Sequence, residues 1–422
     1  MKIPLTVAPA ALDFGALIRA GETVGWAEAT AEPVFLTRLL DAQASRCPPF
    51  RVFCALNLAD EFAAGHAGVT VTALGGGGAG RRFFARDAGG VVPANISALS
   101  GLIASRAVPI DIVLLQVSGP DGDGNYNAGI GIECLHEMIA VARLVVAQVN
   151  DALPWTEGDT AIGSGMIDIL VPAREPVLEL PVRMAGPVEA AIATHVARLV
   201  PDRATIELGI GALPELVAGA LAGKRGLGVH SGALGDGVAA LIEAGVVDNR
   251  HKEIDGGRSV TAMLIGSNRL YAFAHHNPGI QVRAVAYTHD AVVLAQFRRF
   301  VAINAALECD LTGQVNAETS AGRHVGLVGG QVDFVRAANR APEGRSIIAL
   351  PSTGRDRRRS RIVARLADGV VTTPRAEADC VVTEHGVAEL RGRTLAERAR
   401  ALIAIADPAF RRDLEGAAER LV

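Results

Sequence analysis

The chain has 422 residues, a net charge of −4, and a composition that is half hydrophobic but only 4% aromatic. This length is enough for two domains with aliphatic cores, and the small negative charge gives no electrostatic reason to expect nucleic-acid binding. No apolar run is as long as a membrane span, and the N-terminus lacks the pattern of a secretory signal. The five cysteines are scattered without a C-x-x-C pair, which argues against a disulfide framework and a zinc site. We therefore expect a cytoplasmic chain that binds no metal, nucleic acid or membrane.

Apolar segments alternate with Ala- and Leu-rich segments along the chain, which is typical of α/β layers. Residues 110–117 and 144–149 are near-continuous apolar runs of the kind found in buried parallel strands. Residues 172–187 are interrupted by prolines and form the best candidate for a domain boundary. We predict two α/β domains, one over residues 1–187 and the other over residues 188–422.

Residues 204–249 hold the most informative pattern in the second half. Residues 204–208 suit a strand, Gly209-Ile210-Gly211 a turn, and Pro214 the first position of a helix. Such a turn exposes backbone donors to an anion, although ordinary tight packing without a ligand would leave the same pattern. A dinucleotide site would need an acid about 20 residues further on, where this chain has Val229, His230 and Ser231. NAD is therefore disfavoured.

Three further segments complete the prediction. Residues 226–230 suit a short strand that ends at Ser231-Gly232, and residues 284–295 suit another strand. The five arginines of residues 353–361 indicate either a solvated surface loop or a clamp for a phosphate-bearing ligand.

Several ordered motifs then resemble the acetyl-CoA hydrolase/transferase family, which includes 4-hydroxybutyrate CoA-transferase. They are GIGALP, HSGALGDGVAALIEAG, INAALECDLTGQVNAE, GGQVDFVRAA and VVTEHGVAELRG. The resemblance implies two similar open α/β domains of the class I CoA-transferase type. It also implies an acyl-CoA and a small carboxylic acid as reactants, coenzyme A as substrate or product rather than a permanently bound cofactor, and a homodimer.

The resemblance also assigns a CoA site. Family members bind CoA on the glycine turn and on two later motifs, which implies Gly209, Ile210, Gly211, Ala212, Leu213, Asn304, Gly329, Gly330 and Gln331 here.

One position departs from the family. Its transferases use a glutamate in a His-Ser-Glu motif as covalent nucleophile, whereas this chain has His230-Ser231-Gly232. Ser231 is a candidate catalytic residue, although adjacent residues on a strand point to opposite faces. Glu308 and Glu384 are candidate general bases for water. The sequence leaves open whether Gly232, which has no side chain, creates a pocket beside the thioester for a bulkier acyl group.

Without that carboxylate, we expect an acyl-CoA-processing enzyme that adds water. Three alternatives stay open: transfer through a surrogate carboxylate, ring-opening C–C hydrolysis of a CoA thioester, and CoA-ester binding without catalysis.

Overall fold

The computed structural model describes residues 3–62, 65–78, 82, 89–180, 186–367 and 369–420. The chain divides into two compact units. The first comprises Met1–Pro181, Val260–Thr288 and Arg323–Gly329, and the second comprises Val182–Ser259, His289–Gly322 and Gly330–Val422. The boundary at residue 187 stays a prediction, and the first unit includes two segments from beyond it.

The strands are short and are numbered here in chain order. They are β1 Leu5–Thr6, β2 Thr23–Trp26, β3 Phe50–Cys54, β4 Val69–Ala73, β5 Gly89–Val91, β6 Ile112–Val117, β7 Asn125–Asn127, β8 Leu144–Val149, β9 Glu157–Gly158, β10 Ala161–Gly163, β11 Ile169–Pro172, β12 Thr205–Leu208, β13 Gly228–Leu234, β14 Ser259–Leu264, β15 Ile280–Val282, β16 Phe300–Ala305, β17 Glu308–Asp310, β18 Val315–Asn316, β19 Thr319–Ser320, β20 Arg323–His324, β21 Arg345–Ala349, β22 Ile362–Val363, β23 Cys380–Thr383 and β24 Gly386–Glu389.

The α-helices connect these strands and cover the sheets. They are Phe14–Leu17, Val34–Gln43, Ile96–Ala104, Leu135–Val141, Pro187–Leu199, Ala212–Ala220, Asp236–Glu243, Asn268–Ala274, Val285–Thr288, Ala291–Leu294, Gln331–Arg340, Leu395–Ala404 and Arg411–Ala418. Among the described residues, no helix is both long and apolar enough to cross a bilayer.

The first unit is built on a parallel sheet. Its order over the described strands is β1-β11-β8-β6-β2-β3-β4-β5, and every pairing in it is parallel. All six residues of β6 are buried, as the apolar run predicted, because helices cover both faces of such a sheet.

The second unit has a mainly parallel sheet of its own. Its order over the described strands of this unit is β24-β23-β21-β16-β12-β13, with only β24 antiparallel. Thr205 pairs with Gly228 on one side and with Phe300 on the other, so β13, β12 and β16 end at the same edge. Open α/β sheets bind their ligands at this carboxyl edge. Both units therefore confirm the predicted α/β class with parallel sheets.

The structure corrects three local predictions. Residues 284–295 form two short helices rather than a strand, because the Asp290 carboxylate accepts hydrogen bonds from the N–H groups of Val292 and Val293 at 2.8 and 2.9 Å and caps the second helix. Strand β13 runs on through Ser231-Gly232 to Leu234. Pro214 is the third residue of its helix, still within the first turn, where its missing N–H costs nothing.

Candidate active site

The glycine turn after β12 lies at the carboxyl edge of the second unit's sheet. The Gly209 N–H donates to the Ile303 carbonyl at 3.0 Å, so this predicted CoA-binding donor is engaged within the sheet. Gly211 has φ +114°, a conformation that favours glycine, and it precedes the helix Ala212–Ala220. Ile210 is 44% exposed although it is apolar. The exposed part of the turn therefore runs from Ile210 to the helix N-terminus.

Asn304 lies beside this turn, as the motifs implied. Its Nδ2 donates to Glu207 Oε2 at 2.7 Å, and its Oδ1 would lie 3.5 Å from a Cβ built on Gly209. Glu207 also accepts the Ile303 N–H at 3.2 Å. Burial raises the pKa of Glu207 to about 8, although the hydrogen bond from Asn304 by itself lowers that pKa. Glu207 is therefore mainly protonated at neutral pH. The sequence carries one signal for it, an acid inside a buried apolar strand.

Ser231 is held inside the sheet. Its Oγ donates to the Leu208 carbonyl at 3.0 Å and lies 3.3 Å from the Leu208 N–H, and the residue is 1% exposed. These contacts give the hydroxyl a structural role between β12 and β13. We therefore leave Ser231 out of the proposed chemistry below.

Position 232 faces an aromatic ring and an imidazole. A Cβ built on Gly232 would lie 3.2 Å from both Nε2 and Cε1 of His289 and 3.5 Å from Cε2 of Phe334. A Cβ built on Gly330 would lie only 2.4 Å from the same Nε2. Atoms of His289 and Phe334 thus lie in the direction of a side chain at position 232, and a pocket for a bulkier acyl group beside it stays a hypothesis.

His289 belongs to a cluster of aromatic rings in the second unit. Its ring centroid lies 4.6 Å from that of Phe334, and the His230 ring lies 5.0 Å from Phe297. Burial, together with a smaller effect of nearby His230, lowers the pKa of His289 to about 3. The imidazole is therefore neutral at physiological pH. His289 lies in no motif, so sequence reasoning missed it, and only the tertiary structure brings it to Gly232.

The predicted carboxylates Glu308 and Glu384 differ in their surroundings. Glu384 accepts the Ser352 N–H at 2.8 Å through one oxygen and the Ser352 hydroxyl at 2.7 Å through the other. Glu308 is half-buried, and its Oε2 lies 3.5 Å from Asn316 Nδ2, a long contact. Both oxygens of Glu384 thus accept hydrogen bonds from Ser352, whereas Glu308 makes one long hydrogen bond.

The charges of both carboxylates act on the pKa of Arg361. Burial and the neighbouring Arg355 lower its pKa, while the charges of Glu308 and Glu384 oppose that shift. The other four arginines of the basic loop are exposed. This arrangement supports a solvated surface loop rather than a phosphate clamp.

The remaining predicted residues lie at the start of a helix. Gly330 immediately precedes the helix Gln331–Arg340, and Gln331 Nε2 donates to Thr373 Oγ1 at 2.9 Å. Gly329 has φ +62°, and its carbonyl accepts the Ile96 N–H at 3.1 Å in the first unit. The N–H groups of the helix's first turn have no partner within the helix, and its N-terminus is the positive end of the helix dipole.

The first unit contains an acidic cavity that sequence reasoning missed. Burial raises the pKa of Glu28 to about 7, and burial together with the charge of Glu28 raises the pKa of Glu133 well above its ordinary value. The two carboxyls therefore share protons at neutral pH. The cavity is lined by Trp26, Ala27, Glu28, Ala31, Gly131, Ile132, Glu133, Cys134, Leu135 and Met138.

Comparison with known proteins places these features in a family. Residues 90–179 match the acetyl-CoA hydrolase/transferase N-terminal domain, and residues 266–418 match the acetyl-CoA hydrolase/transferase C-terminal domain. The chain is 43% identical over 314 residues to 4-hydroxybutyrate coenzyme A transferase of Clostridium kluyveri, which covers 74% of this chain and 73% of that protein. It is 22% identical over 338 residues to acetyl-CoA hydrolase of Neurospora crassa, covering 70% of this chain and 62% of that protein.

A solved structure matches over nearly the whole length. The structure of RipA from Yersinia pestis superposes with a TM-score of 0.93 at 33% identity, covering 99% of this chain and 97% of that one. The α/β fold with parallel sheets is therefore that of CoA-transferase structures. The chain belongs to the acetyl-CoA hydrolase/transferase family. It is an enzyme of the acyl-CoA hydrolase/transferase kind.

Proposed function

We propose that this enzyme hydrolyses an acyl-CoA thioester by adding water, rather than transferring CoA through a covalent intermediate. One observation carries the proposal. The resemblance assigns the family's nucleophile position to Gly232, and atoms of His289 and Phe334 lie 3.2 and 3.5 Å from a Cβ built there. Without a carboxylate there, the acyl–glutamyl and glutamyl–CoA intermediates that conserve the thioester's energy cannot form at this position.

The surrounding side chains supply water chemistry better than a replacement nucleophile. Glu207 is mainly protonated at neutral pH, and Glu384 has both oxygens on Ser352. Glu308 is the predicted carboxylate with the weakest hydrogen bond, and we assign it the role of accepting a proton from the attacking water. The exposed turn from Ile210 to Leu213, with Asn304, Gly330 and Gln331, would hold the CoA ester.

The substrate class follows from the relatives. The Clostridium protein is named for 4-hydroxybutyrate, a small carboxylic acid, so we propose a short acyl-CoA whose acyl group carries a polar end. A homodimer and a cytoplasmic location remain predictions. Sedimentation of the purified protein tests the first, and localisation of the tagged chain in cells tests the second.

Intact-protein mass spectrometry with acetyl-, succinyl- and 4-hydroxybutyryl-CoA tests the proposal, with thiol release followed in parallel. Free thiol without a covalent CoA adduct is the expected result. A CoA adduct would instead establish a surrogate carboxylate and a transferase. A product that gains one water while keeping its thioester would point to C–C hydrolysis, and binding without turnover across the panel would indicate a non-catalytic protein.

A matched pair of variants tests the role of Glu308. Glu308→Gln is expected to reduce thiol release by ~100-fold, the range typical of a lost general base. Glu415→Gln, an exposed glutamate of the last helix, is the control for removing a negative charge.

A further inference from the structure

We propose that Glu207 is a positioning residue: its carboxyl fixes the side-chain amide of Asn304 in the orientation in which that amide contacts the acyl-CoA. The inference rests on the proposed function, which places Asn304 at the CoA ester. It gives a role to a buried acid that the chemistry above does not use. Glu207 lies outside the motifs that carry the family resemblance.

Glu207 and Asn304 lie on neighbouring parallel strands of the second unit, where these strands end. In the register of β12 and β16, Glu207 pairs with Ala302, two residues before Asn304. Side chains two residues apart on a strand point to the same face, so both side chains lie on one face of the sheet. Glu207 is 3% exposed and Asn304 is 8% exposed. Their contact is therefore a buried one at the carboxyl edge, beside the glycine turn.

The carboxyl decides which way the amide points. The oxygen and nitrogen ends of an asparagine amide have nearly the same size, so hydrogen-bond partners select the orientation. Glu207 Oε2 accepts the Ile303 N–H at 3.2 Å, and a backbone N–H can only donate. Oε2 is therefore an acceptor, and it meets the Nδ2 donor of Asn304 at 2.7 Å. The flipped amide would place two acceptor oxygens against each other, so the carboxyl excludes it.

The contact with Glu207 uses only part of the amide. One N–H of Nδ2 and the oxygen Oδ1 have no hydrogen-bond partner among the described residues. Oδ1 is also not one of the buried atoms that lack a partner in this part of the chain, and it would lie 3.5 Å from a Cβ built on Gly209. A CoA ester carries carbonyl acceptors and amide N–H donors. An amide held in one orientation can therefore bind it through either of the remaining groups.

The neutral state of the carboxyl suits this role. Burial raises the pKa of Glu207 to about 8, so the acid orients the amide without adding a negative charge near the thioester. Such a charge would oppose the negative charge that develops on the thioester oxygen as water attacks. A hydrocarbon side chain would cost less to bury, but it would leave Nδ2 of Asn304 without this acceptor.

A double-mutant cycle on thioester cleavage tests the role. With the acyl-CoA that the wild type cleaves fastest, Glu207→Leu is expected to lower kcat/KM by ~10-fold, the effect of about one hydrogen bond. Glu207→Gln keeps a neutral acceptor and should stay within ~3-fold of the wild type. In an Asn304→Ala background, Glu207→Leu should change kcat/KM by less than ~2-fold, because the residue through which it acts is gone. Glu415→Leu, at an exposed position of the last helix, is the control.

Nuclear magnetic resonance of the free enzyme tests the contact itself. The side-chain amide signals of Asn304 are identified by their loss in Asn304→Ala. In the wild type they should shift as Glu207 ionises, with a midpoint at its pKa of about 8, and in Glu207→Gln they should stay constant. This measurement decides the case in which Glu207→Leu does not fold. An absent shift then overturns the proposal, and a shift together with a fully active Glu207→Gln supports it.

Three kinetic results would overturn the proposal. They are an equal loss from Glu207→Leu with and without Asn304, no loss from Glu207→Leu in the wild-type background, and a folded but inactive Glu207→Gln. If Asn304→Ala cleaves as fast as the wild type, Asn304 does not contact the ester, and the inference fails with that part of the proposed function. A covalent CoA adduct overturns only the proposed hydrolysis, since the same cycle is then measured on CoA transfer.

Discussion

The two units of the molecule use burial in opposite ways. In the first unit, burial raises the pKa values of Glu28 and Glu133, so acids that would be negative in water hold protons at neutral pH. In the second unit, burial lowers the pKa of His289 to about 3, so a base that could be positive stays neutral. The physical cause is the same, because a low-dielectric surrounding penalises whichever form carries charge.

The difference between the units lies in the partner of each buried group. Each carboxyl of the first unit faces another carboxyl, so the pair must share protons. The imidazole of the second unit lies close to the backbone of two glycines and to the ring of Phe334. Desolvation thus keeps the imidazole neutral, whereas the proton-sharing pair makes the stability of the first unit depend on pH.

The largest expected effect comes from filling the space beside the imidazole. In Gly330→Ala, the new Cβ would lie 2.4 Å from His289 Nε2, which forces the ring away. Such overpacking should lower the free energy of unfolding by ~1–3 kcal/mol, as measured by denaturant titration. Gly416→Ala, where a Cβ meets nothing within 4 Å, is the control. Wild-type stability in Gly330→Ala would contradict the close approach of the imidazole to Gly330.

A second variant asks whether the carboxylate and the imidazole exclude each other. In Gly232→Glu, the Cβ would lie 3.2 Å from the ring, so we expect no CoA adduct on acetyl-CoA. The double variant Gly232→Glu/His289→Asn removes the crowding ring atoms and should form at least ~10-fold more covalent adduct by mass spectrometry. Equal adduct in the single and double variants would show that His289 does not restrict this position.

The buried Glu207 of the second unit should also make the free energy of unfolding depend on pH. Its folded pKa of about 8 exceeds the ordinary value of 4.5, so its stabilising contribution is full below pH 4.5 and is lost progressively as pH rises to about 8. Glu207→Gln cannot ionise and should flatten this slope. The difference in unfolding free energy between variant and wild type should grow by up to ~1.4 kcal/mol per pH unit across that window. Denaturant titrations at pH 4.5, 6 and 8 measure it, and parallel curves would contradict the buried protonated state.

Glu28→Gln makes the corresponding change in the first unit and should have a smaller effect. The window is narrower, from the ordinary value of 4.5 to a folded pKa of about 7, and stability again falls as pH rises through it. We expect the stability of the variant relative to the wild type to be higher at pH 8 than at pH 4.5. The same titrations apply, with Glu415→Gln as an exposed control. If Glu28→Gln were more stable than the wild type only at low pH, Glu28 would not be a buried acid with a raised pKa.

Much of the molecule could be predicted from local signals. The apolar run that became β6 and the motifs of the family carry the α/β class, the parallel sheets and the use of coenzyme A esters, because buried parallel strands need continuous apolar runs. The prediction of a strand was wrong where a helix-capping side chain competes with β propensity. The β-branched residues of 284–295 favour a strand, but Asp290 caps a helix there.

The sequence by itself determined that glycine follows His230-Ser231, where the resemblance implies a glutamate. Only the tertiary structure decided what stands beside that position. His289 is 57 residues further along the chain, and no spacing rule joins two groups that meet through the packing of loops at a sheet edge. The charge of the imidazole is likewise a tertiary property, because its pKa depends on desolvation and on neighbours that the fold supplies.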